Sequence, residues 1–276
     1  MTRKIAIGVL AAWLVVAALA DVIARDDGLV RWAPETVDKN VTPASPPDSS
    51  HWLGTDTARR DVLARLVHGA RLAFAVGFGA ATIMIVIGVA IGLAAGYGPP
   101  ALDRLLTRLT DAVLALPIFF VALAVMGVVA QPGTLLVIVI IGGSAWPPLA
   151  RLIRAETKRL KTLDFVRAAE AMGASSLYVA RRHVLPHLVP LVAVAFAFGV
   201  ATAALVEASL SFLGFGVPDA VASWGGLMRG AAQHLEAWWL ILGPGLALLS
   251  LTIACNVLGE VASARDSRLL SDRAGP

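Results

Sequence analysis

The chain has 276 residues, of which 58% are hydrophobic and 15% are charged, with a net charge of +4 and a pI of about 9.7. Soluble domains are nearer about 45–50% apolar and about 25% charged. The excess forms separate apolar blocks of about 20 residues, the length that a helix needs to cross a bilayer. The composition therefore excludes an ordinary soluble domain. The single cysteine, Cys255, excludes an intrachain disulfide and argues against a thiolate metal cluster.

Six apolar blocks predict six transmembrane helices, and hence an all-α polytopic membrane protein, because lipid offers no partner to the backbone of an open strand. The predicted spans are residues 5–24, 72–97, 111–131, 134–152, 188–212 and 238–261. The third and fourth spans are separated only by the sequence QPG, which predicts a helical hairpin with a tight turn. The prolines expected to kink or end spans are Pro117, Pro147 and Pro148.

The distribution of Lys and Arg predicts which way the spans point. Basic residues are concentrated in the N-terminus, in the loops around residues 104 and 151–182, and in the C-terminal tail. The positive-inside rule therefore places these segments, both termini included, in the cytoplasm. The first block has a second interpretation as a cleavable secretory signal peptide. Three tryptophans are expected in an aromatic belt at the outer interface, namely Trp224, Trp238 and Trp239.

Residues 25–69 then form the one sizeable external segment. Its Pro- and Ser-rich part, residues 41–50, predicts an irregular linker. The apolar spacing of residues 61–74 predicts an interfacial helix that leads into the second span.

Residues 167–188, RAAEAMGASSLYVARRHVLPHL, are polar within an otherwise apolar chain. They predict two short helices, with Gly173 in the left-handed position after the first and Pro186 ending the second. The expected N-caps are Thr162 and Ser175 or Ser176. The residues leave three interpretations open: a DNA-reading element, a docking element for a cytoplasmic protein, or a loop whose basic residues only fix topology. The tether to the bilayer at both ends disfavours DNA.

The same stretch resembles the cytoplasmic EAA loop of permease subunits from bacterial ABC importers. The residues at matching distances are Ala168, Ala169, Gly173, Leu185 and Pro186, and the departures are Arg167 and His183. Three further segments are similar to the dipeptide, oligopeptide and nickel permeases: HWLGTDTARRDVLARLVHGAR, EASLSFLGFGVPDAVASWGGLM and PGLALLSLTIACNVLGE. The resemblance covers about residues 50–262, with one departure at DTARRD, where the family has a Gly-Arg pair.

The resemblance implies a type I ABC importer permease fold with cytoplasmic coupling helices. Together with the apolar blocks and the charge distribution, it predicts an N-terminal transmembrane helix (1–24), an external segment with an interfacial helix (25–69), a permease domain (70–262) and a cytoplasmic tail (263–276). The residues implied in ATPase contact are Ala168, Ala169, Glu170, Met172 and Gly173. Such a subunit lies in the bacterial inner membrane, where it pairs with a second permease in a heterodimer, two cytoplasmic ATPases and an external substrate-binding protein. It carries dipeptides or oligopeptides by alternating access.

Sequence patterns for other chemistry are absent. The chain contains no G-x-x-x-x-G-K-[S/T] phosphate loop, so ATP and Mg are expected on the partner ATPases, and this chain is expected to bind no cofactor and to be no enzyme. His183 and His187 have the i, i+4 spacing of a metal site, but Pro186 stands between them. We therefore predict no metal site and no catalytic residue, and we expect no nucleic acid partner.

Two sets of residues within the spans are expected to be functional or structural. Gly88, Gly92 and Gly96 form a stripe that predicts close helix packing. Glu207 and Asn256 are polar groups in apolar blocks, so each is expected either to line the translocation pathway or to make a structural hydrogen bond.

Three other functions remain open from the sequence. The first is an ABC importer permease for nickel or a metal chelate, since the binding protein and the joint cavity largely set the cargo. The second is a secondary transporter, which would predict inverted repeats with broken helices. The third is a membrane-anchored DNA-binding regulator, which would bind DNA in a salt-dependent way.

Overall fold

The computed structural model describes residues 2–26, 28–129 and 133–273, and their side chains except those of 118 and 264–273. Throughout this described part the regular secondary structure is helical, apart from isolated bridges between residues of the segment 37–61. The all-α class predicted from the apolar blocks is confirmed.

The N-terminal block forms α1 (Arg3–Ala18) and the short α2 (Ala20–Ile23). The 16 residues of α1 fall short of the roughly 20 that a transmembrane helix needs. The helix packs on the C-terminal helix, and Trp13 Nε1 donates to Ser250 Oγ at 2.9 Å.

The longest helix, α3 (Val62–Tyr97), has 36 residues and is about 54 Å long. It starts at Asp61, whose carboxylate accepts a hydrogen bond from the backbone N–H of Ala64. The predicted interfacial helix is not a separate element. Residues 62–71 are the first turns of α3, because no proline interrupts the helix before Tyr97 and residues such as Val62 and Ala64 are buried.

The two predicted spans of the hairpin are each broken by proline. Helices α4 (Pro100–Leu114) and α5 (Ile118–Val128) meet at a bend of 72°, and α6 (Thr134–Ala145) and α7 (Pro147–Leu160) meet at 42°. Pro117 and Pro147 start new helices because they lack the N–H that would continue the old ones. The predicted turn at residues 131–133 lies largely outside the described residues, which resume at 133.

The polar stretch forms α8 (Asp164–Ala171) and the single turn α9 (Ser176–Val179), which continues through a π-helical turn (Ala180–Val184) into α10 (Leu185–Phe212). The prediction that Pro186 ends the second helix was therefore wrong. Pro186 lies in the first turn of α10, next to the π-helical turn, where its missing N–H is tolerated.

The expected caps have different outcomes. Ser175 accepts from the backbone N–H of Tyr178 and caps α9, as predicted. Thr162 is not a cap, since Leu163 holds that position and the Thr162 hydroxyl donates to the carbonyl of Arg159.

The chain ends with α11 (Trp224–Ala231) and α12 (Trp239–Arg273). Among the described residues, three helical runs are long and apolar enough to cross a membrane, namely 62–97, 176–212 and 239–263, and counting each bent pair as one span raises the number to five. The first predicted span, residues 5–24, corresponds to the shorter α1. The helix α3 is central, since it packs on α1, α6, α7 and α10.

Two of the three tryptophans expected at the interface are instead buried in the protein. Trp224 Nε1 donates to the carbonyl of Leu66, and Trp239 Nε1 donates to that of Thr55. The ring of Trp224 lies so close to Gly69 that a Cβ there would be 2.5 Å from it. Buried indole N–H groups need an acceptor, and these carbonyls supply it.

Candidate functional site

The α8–α9 corner, residues 164–179, projects from the end of α3 and exposes apolar side chains. Met172 is 82% exposed and Leu177 is 79% exposed. Gly173 joins the two helices at φ +85°, where residues with a side chain are strained, and open space surrounds its Cα. Its N–H donates to the carbonyl of Glu170, which closes the end of α8. The corner is thus a short, partly apolar projection.

The inner face of the corner is a small apolar cluster of Val166, Ala169 and Val179, packed against Tyr97 and Ala174. Ala169 is 4% exposed. The sequence predicted that Ala169 contacts an ATPase, but its methyl group faces this cluster. The helical period explains the difference, since residues 166 and 169 stand three positions apart on one face of α8. Ala168 and Met172 remain on the exposed side.

Glu170 fastens the corner to the end of α3. Its Oε1 accepts a hydrogen bond from the hydroxyl of Tyr97 at 2.6 Å. The ammonium of Lys161 lies 4.5 Å from the centre of the same aromatic ring. No local sequence pattern predicts this contact, because Tyr97 and Glu170 are 73 positions apart.

The three glycines of α3 lie against α7. A Cβ on Gly92 would be 2.6 Å from the Cβ of Ile153, and one on Gly96 would be 2.6 Å from the Cβ of Thr157. At Gly88 the nearest atoms belong to Leu149, at 3.1 Å. These distances require the absence of a side chain at Gly92 and Gly96, and they fix the close approach of the two helices.

A polar clasp joins α4 to α7 at the same end of the bundle. Arg154 donates through Nε and Nη2 to the two carboxylate oxygens of Asp103, and Lys158 donates to the second of them. Nearby, Arg151 pairs with Asp111. The sequence analysis did not predict this contact between α4 and α7. The sequence feature that could have indicated it is the basic face of α7.

Glu207 is buried near the opposite end of α10, at 2% exposure. Its Oε1 accepts hydrogen bonds from Ser211 Oγ at 2.7 Å and from Ser223 Oγ at 2.9 Å. Ser223 also caps α11 by accepting from the N–H of Gly226. Asn256 is half-buried on α12 and makes no side-chain hydrogen bond within the described ranges. The two pathway candidates are therefore not hydrogen-bonded to each other.

The cap segment, residues 28–61, covers the end of the bundle opposite the corner. It contains the predicted irregular linker, which is held by backbone bonds such as Ala44 N to the carbonyl of Asp56. Its centre is His51, whose Nδ1 lies 2.9 Å from Asp61 and whose Nε2 lies 3.4 Å from Asp38. The indole of Trp32 stacks on the imidazole at 4.5 Å. The sequence singled out neither His51 nor its partners.

The pKa values of three carboxyl groups in the cap segment are shifted by burial and by backbone hydrogen-bond donors. Burial raises the pKa of Asp61, although the N–H of Ala64 and the imidazole of His51 act in the opposite direction. The backbone N–H of Asn40 lowers the pKa of Asp38, and those of His51 and Ser50 lower that of Asp48. Among the described residues, no group of three His, Cys, Asp or Glu side chains could hold a metal ion.

The long apolar helices and the broken spans are those of a multi-pass membrane protein. Residues 88–265 match the family described as binding-protein-dependent transport system inner membrane component. The chain belongs to this family.

Two curated relatives are similar over most of their length. The glutathione transport system permease protein GsiD of Pectobacterium atrosepticum is 34% identical over 227 residues, which are 82% of this chain and 75% of that protein. The dipeptide transport system permease protein DppC of Bacillus subtilis is 33% identical over 217 residues, which are 78% and 68%.

The fold is also similar to a solved structure of the MetNI methionine ABC transporter in an inward-facing conformation. The TM-score is 0.57 at 18% identity, and the match covers 75% of this chain and 95% of that one. This likeness concerns the fold, which agrees with the type I importer permease fold expected from the sequence.

Proposed function

We propose that this chain forms one half of the transmembrane pathway of an ATP-driven importer for dipeptides or oligopeptides, and that the α8–α9 corner docks a cytoplasmic ATPase subunit. The observation that carries the proposal is the corner itself. It is a projection with exposed apolar residues such as Met172 and Leu177, on a chain that belongs to a transport family. The names of the relatives support peptides as cargo over nickel or a metal chelate.

The docking surface consists of the outer side of the corner. Ala168 gives α8 a low profile there, Met172 offers an apolar side chain, and Gly173 leaves open space for an approaching surface. Ala169 and Glu170 act from within, since one packs in the cluster beneath α8 and the other bonds to Tyr97. The movement of a docked ATPase would reach the spans through these inner contacts and provide alternating access.

The distribution of charge supports an orientation with the corner in the cytoplasm. Arg104, Arg108, Arg154, Lys158 and the basic residues of 159–182 lie at the corner end of the bundle. The C-terminal end of α1 lies near the cap segment, because Arg71 near the start of α3 donates to the carbonyl of Ala17. The N-terminal end of α12 also lies there, because Trp239 donates to the carbonyl of Thr55. The N-terminus of α1 and the C-terminus of α12 therefore both point toward the corner end of the bundle. The positive-inside rule then favours an orientation with both termini in the cytoplasm and the cap segment outside.

The assembly that follows contains a second permease subunit, two ATPases that bind ATP and Mg, and an external binding protein. Family membership supports this assembly over a secondary transporter or a DNA-binding regulator. For the pathway, we favour Asn256 over Glu207. The amide of Asn256 has no hydrogen bond in the described structure, whereas the Glu207 carboxylate has two internal donors.

Copurification tests the docking role. The chain would be expressed with its ATPases, and the Gly173→Asp variant would be compared with the Gly133→Asp variant. Gly133 is an exposed glycine at the start of α6 with no atom near its Cβ position. Gly173→Asp places a charged side chain on the docking surface and is expected to release the ATPases and abolish ATP-driven uptake in liposomes. Gly133→Asp is expected to retain both. Retention of the ATPases by inserted Gly173→Asp protein would refute the docking role.

A further inference from the structure

The α8–α9 corner is joined to the central helix α3 by one polar contact. In the part of the chain that the structure describes, the bond from the Tyr97 hydroxyl to Glu170 is the only side-chain hydrogen bond between the corner and α3. The ring of Tyr97 also packs on the cluster of Val166, Ala169 and Val179 beneath α8. Tyr97 is therefore the residue through which α3 holds the corner.

The covalent connections of the corner lead to α7 and α10 and not to α3. Its start follows α7 through residues 161–163, and its end continues through the π-helical turn into α10. Phe165 stacks on His187 at 5.1 Å, so this ring contact also leads to α10. Without the Tyr97 contact, α3 would not be attached to the corner by a polar side-chain contact of its own.

Tyr97 lies where a contact can act on the helix that packs against much of the bundle. It is the last residue of α3, and α3 packs on four other helices of the bundle. Gly92 and Gly96, in the last two turns of α3, are in close contact with Ile153 and Thr157 of α7. A displacement of α8 that reaches Tyr97 would therefore act directly on the end of α3.

The chemical groups in this contact favour a strong hydrogen bond. A phenol that donates to a carboxylate makes a charge-assisted bond, which is stronger than a bond between neutral groups. The ammonium of Lys161 also lies over the ring, 4.5 Å from its centre, and makes a cation–π contact with it.

From these contacts we infer that Tyr97 is a positioning residue for energy coupling, whose bond to Glu170 makes α3 follow the corner when a partner moves it. This inference rests on the proposed docking of an ATPase at the corner. It assigns Tyr97 no contact with cargo or nucleotide.

Tyr97→Phe tests the inference in the complete transporter, reconstituted in liposomes with its ATPases and binding protein. The substitution keeps the ring, its apolar packing and the Lys161 contact, and it removes only the hydroxyl. The amount of peptide imported per ATP hydrolysed is expected to fall about fivefold, the ratio that corresponds to the loss of a hydrogen bond of about 1 kcal/mol. The ATPases are expected to remain bound.

Thr107→Val is the matched control. It removes another hydroxyl–carboxylate bond at the same end of the bundle, from Thr107 to Asp103, but both residues belong to α4. Transport per ATP is expected to be unchanged. A double-mutant cycle of Tyr97→Phe and Glu170→Ala then isolates the pairwise effect, and the double variant is expected to lose no more coupling than the larger single loss.

The outcomes separate the inference from the proposed function. If the wild-type chain binds no ATPase, the docking proposal fails. If the ATPases bind and Tyr97→Phe transports as much peptide per ATP as wild type, the coupling role is overturned while docking stands. A lower melting temperature or yield with unchanged transport per ATP would likewise overturn it, since Tyr97 would then be only structural.

Discussion

His51 and Asp61 lie together in the interior of the cap segment, each with 1% of its side chain exposed and with 2.9 Å between Nδ1 and Oδ2. Asp61 also caps α3 through the N–H of Ala64. One carboxylate thus ties the cap segment to the start of the longest helix. The cap segment is an ordered part of the protein, held to the bundle by a buried polar contact.

His51→Ala is expected to loosen the cap segment. The substitution removes the neighbour of the buried Asp61 carboxylate and the surface on which Trp32 stacks. A buried group that loses its hydrogen-bond partner costs about 1–3 kcal/mol. Hydrogen exchange of the amides of residues 37–61 would measure the loss. The control is His234→Ala, whose side chain lies 3.5 Å from the exposed Glu236 and should contribute little. Equal protection in the two variants would contradict the prediction.

Acid is expected to weaken the cap segment through Asp38 and Asp48. Both pKa values are lowered in the folded protein by backbone donors, so their stabilising effect is present above the usual pKa and is lost as the pH falls through the lowered values. Asp61 has the opposite effect, because burial raises its pKa. Its buried charge costs stability at higher pH, and this cost disappears when the carboxylate is protonated in acid.

The effect can be measured as amide protection in the cap segment between about pH 6 and about pH 3. Asp48→Asn keeps an oxygen acceptor for the N–H groups of Ser50 and His51 but cannot titrate. This variant is expected to lose less protection in acid than wild type does. Identical acid profiles would show that Asp48 does not contribute.

Gly92→Ala is expected to destabilise the packing of α3 on α7. The added methyl would lie 2.6 Å from the Cβ of Ile153 and 2.7 Å from the carbonyl oxygen of Ala150, so one helix must shift. Overpacking of this kind costs about 1–3 kcal/mol. Gly143→Ala in α6 is the control, because no atom lies within 4 Å of its Cβ position and alanine favours a helix. A melting temperature for Gly92→Ala at or above that of Gly143→Ala would contradict the close packing.

Glu207→Ala is expected to be destabilising, whereas Glu207→Gln is expected to be nearly neutral for stability. Alanine leaves the hydroxyls of Ser211 and Ser223 without their acceptor, which costs about 1–3 kcal/mol for each group that stays unsatisfied. Glutamine retains an oxygen for both hydroxyls. Melting temperature and peptide uptake should therefore change together in these variants. Loss of uptake by stable Glu207→Gln protein would instead indicate that the pathway needs the charge.

Much of the architecture followed from local pattern. The apolar blocks predicted helices because lipid leaves the backbone no other partner, and Pro117 and Pro147 predicted the breaks because proline lacks an N–H. Gly173 predicted a left-handed position that the structure contains at φ +85°. The start of α3 was mispredicted because buried residues such as Val62 extend the helix, and the passage through Pro186 was mispredicted because a π-helical turn precedes it.

The sequence by itself determined the helical class, the membrane location and the resemblance to importer permeases, because length, hydropathy and short motifs are properties of neighbouring residues. Only the tertiary structure decided that Ala169 faces inward, that Tyr97 holds Glu170, that Trp224 packs on Gly69 and that His51 lies between two carboxylates. Several of these contacts join residues far apart in the chain, and all depend on which face each element buries. That choice is made by the packing of the whole bundle and cannot be read from local sequence pattern.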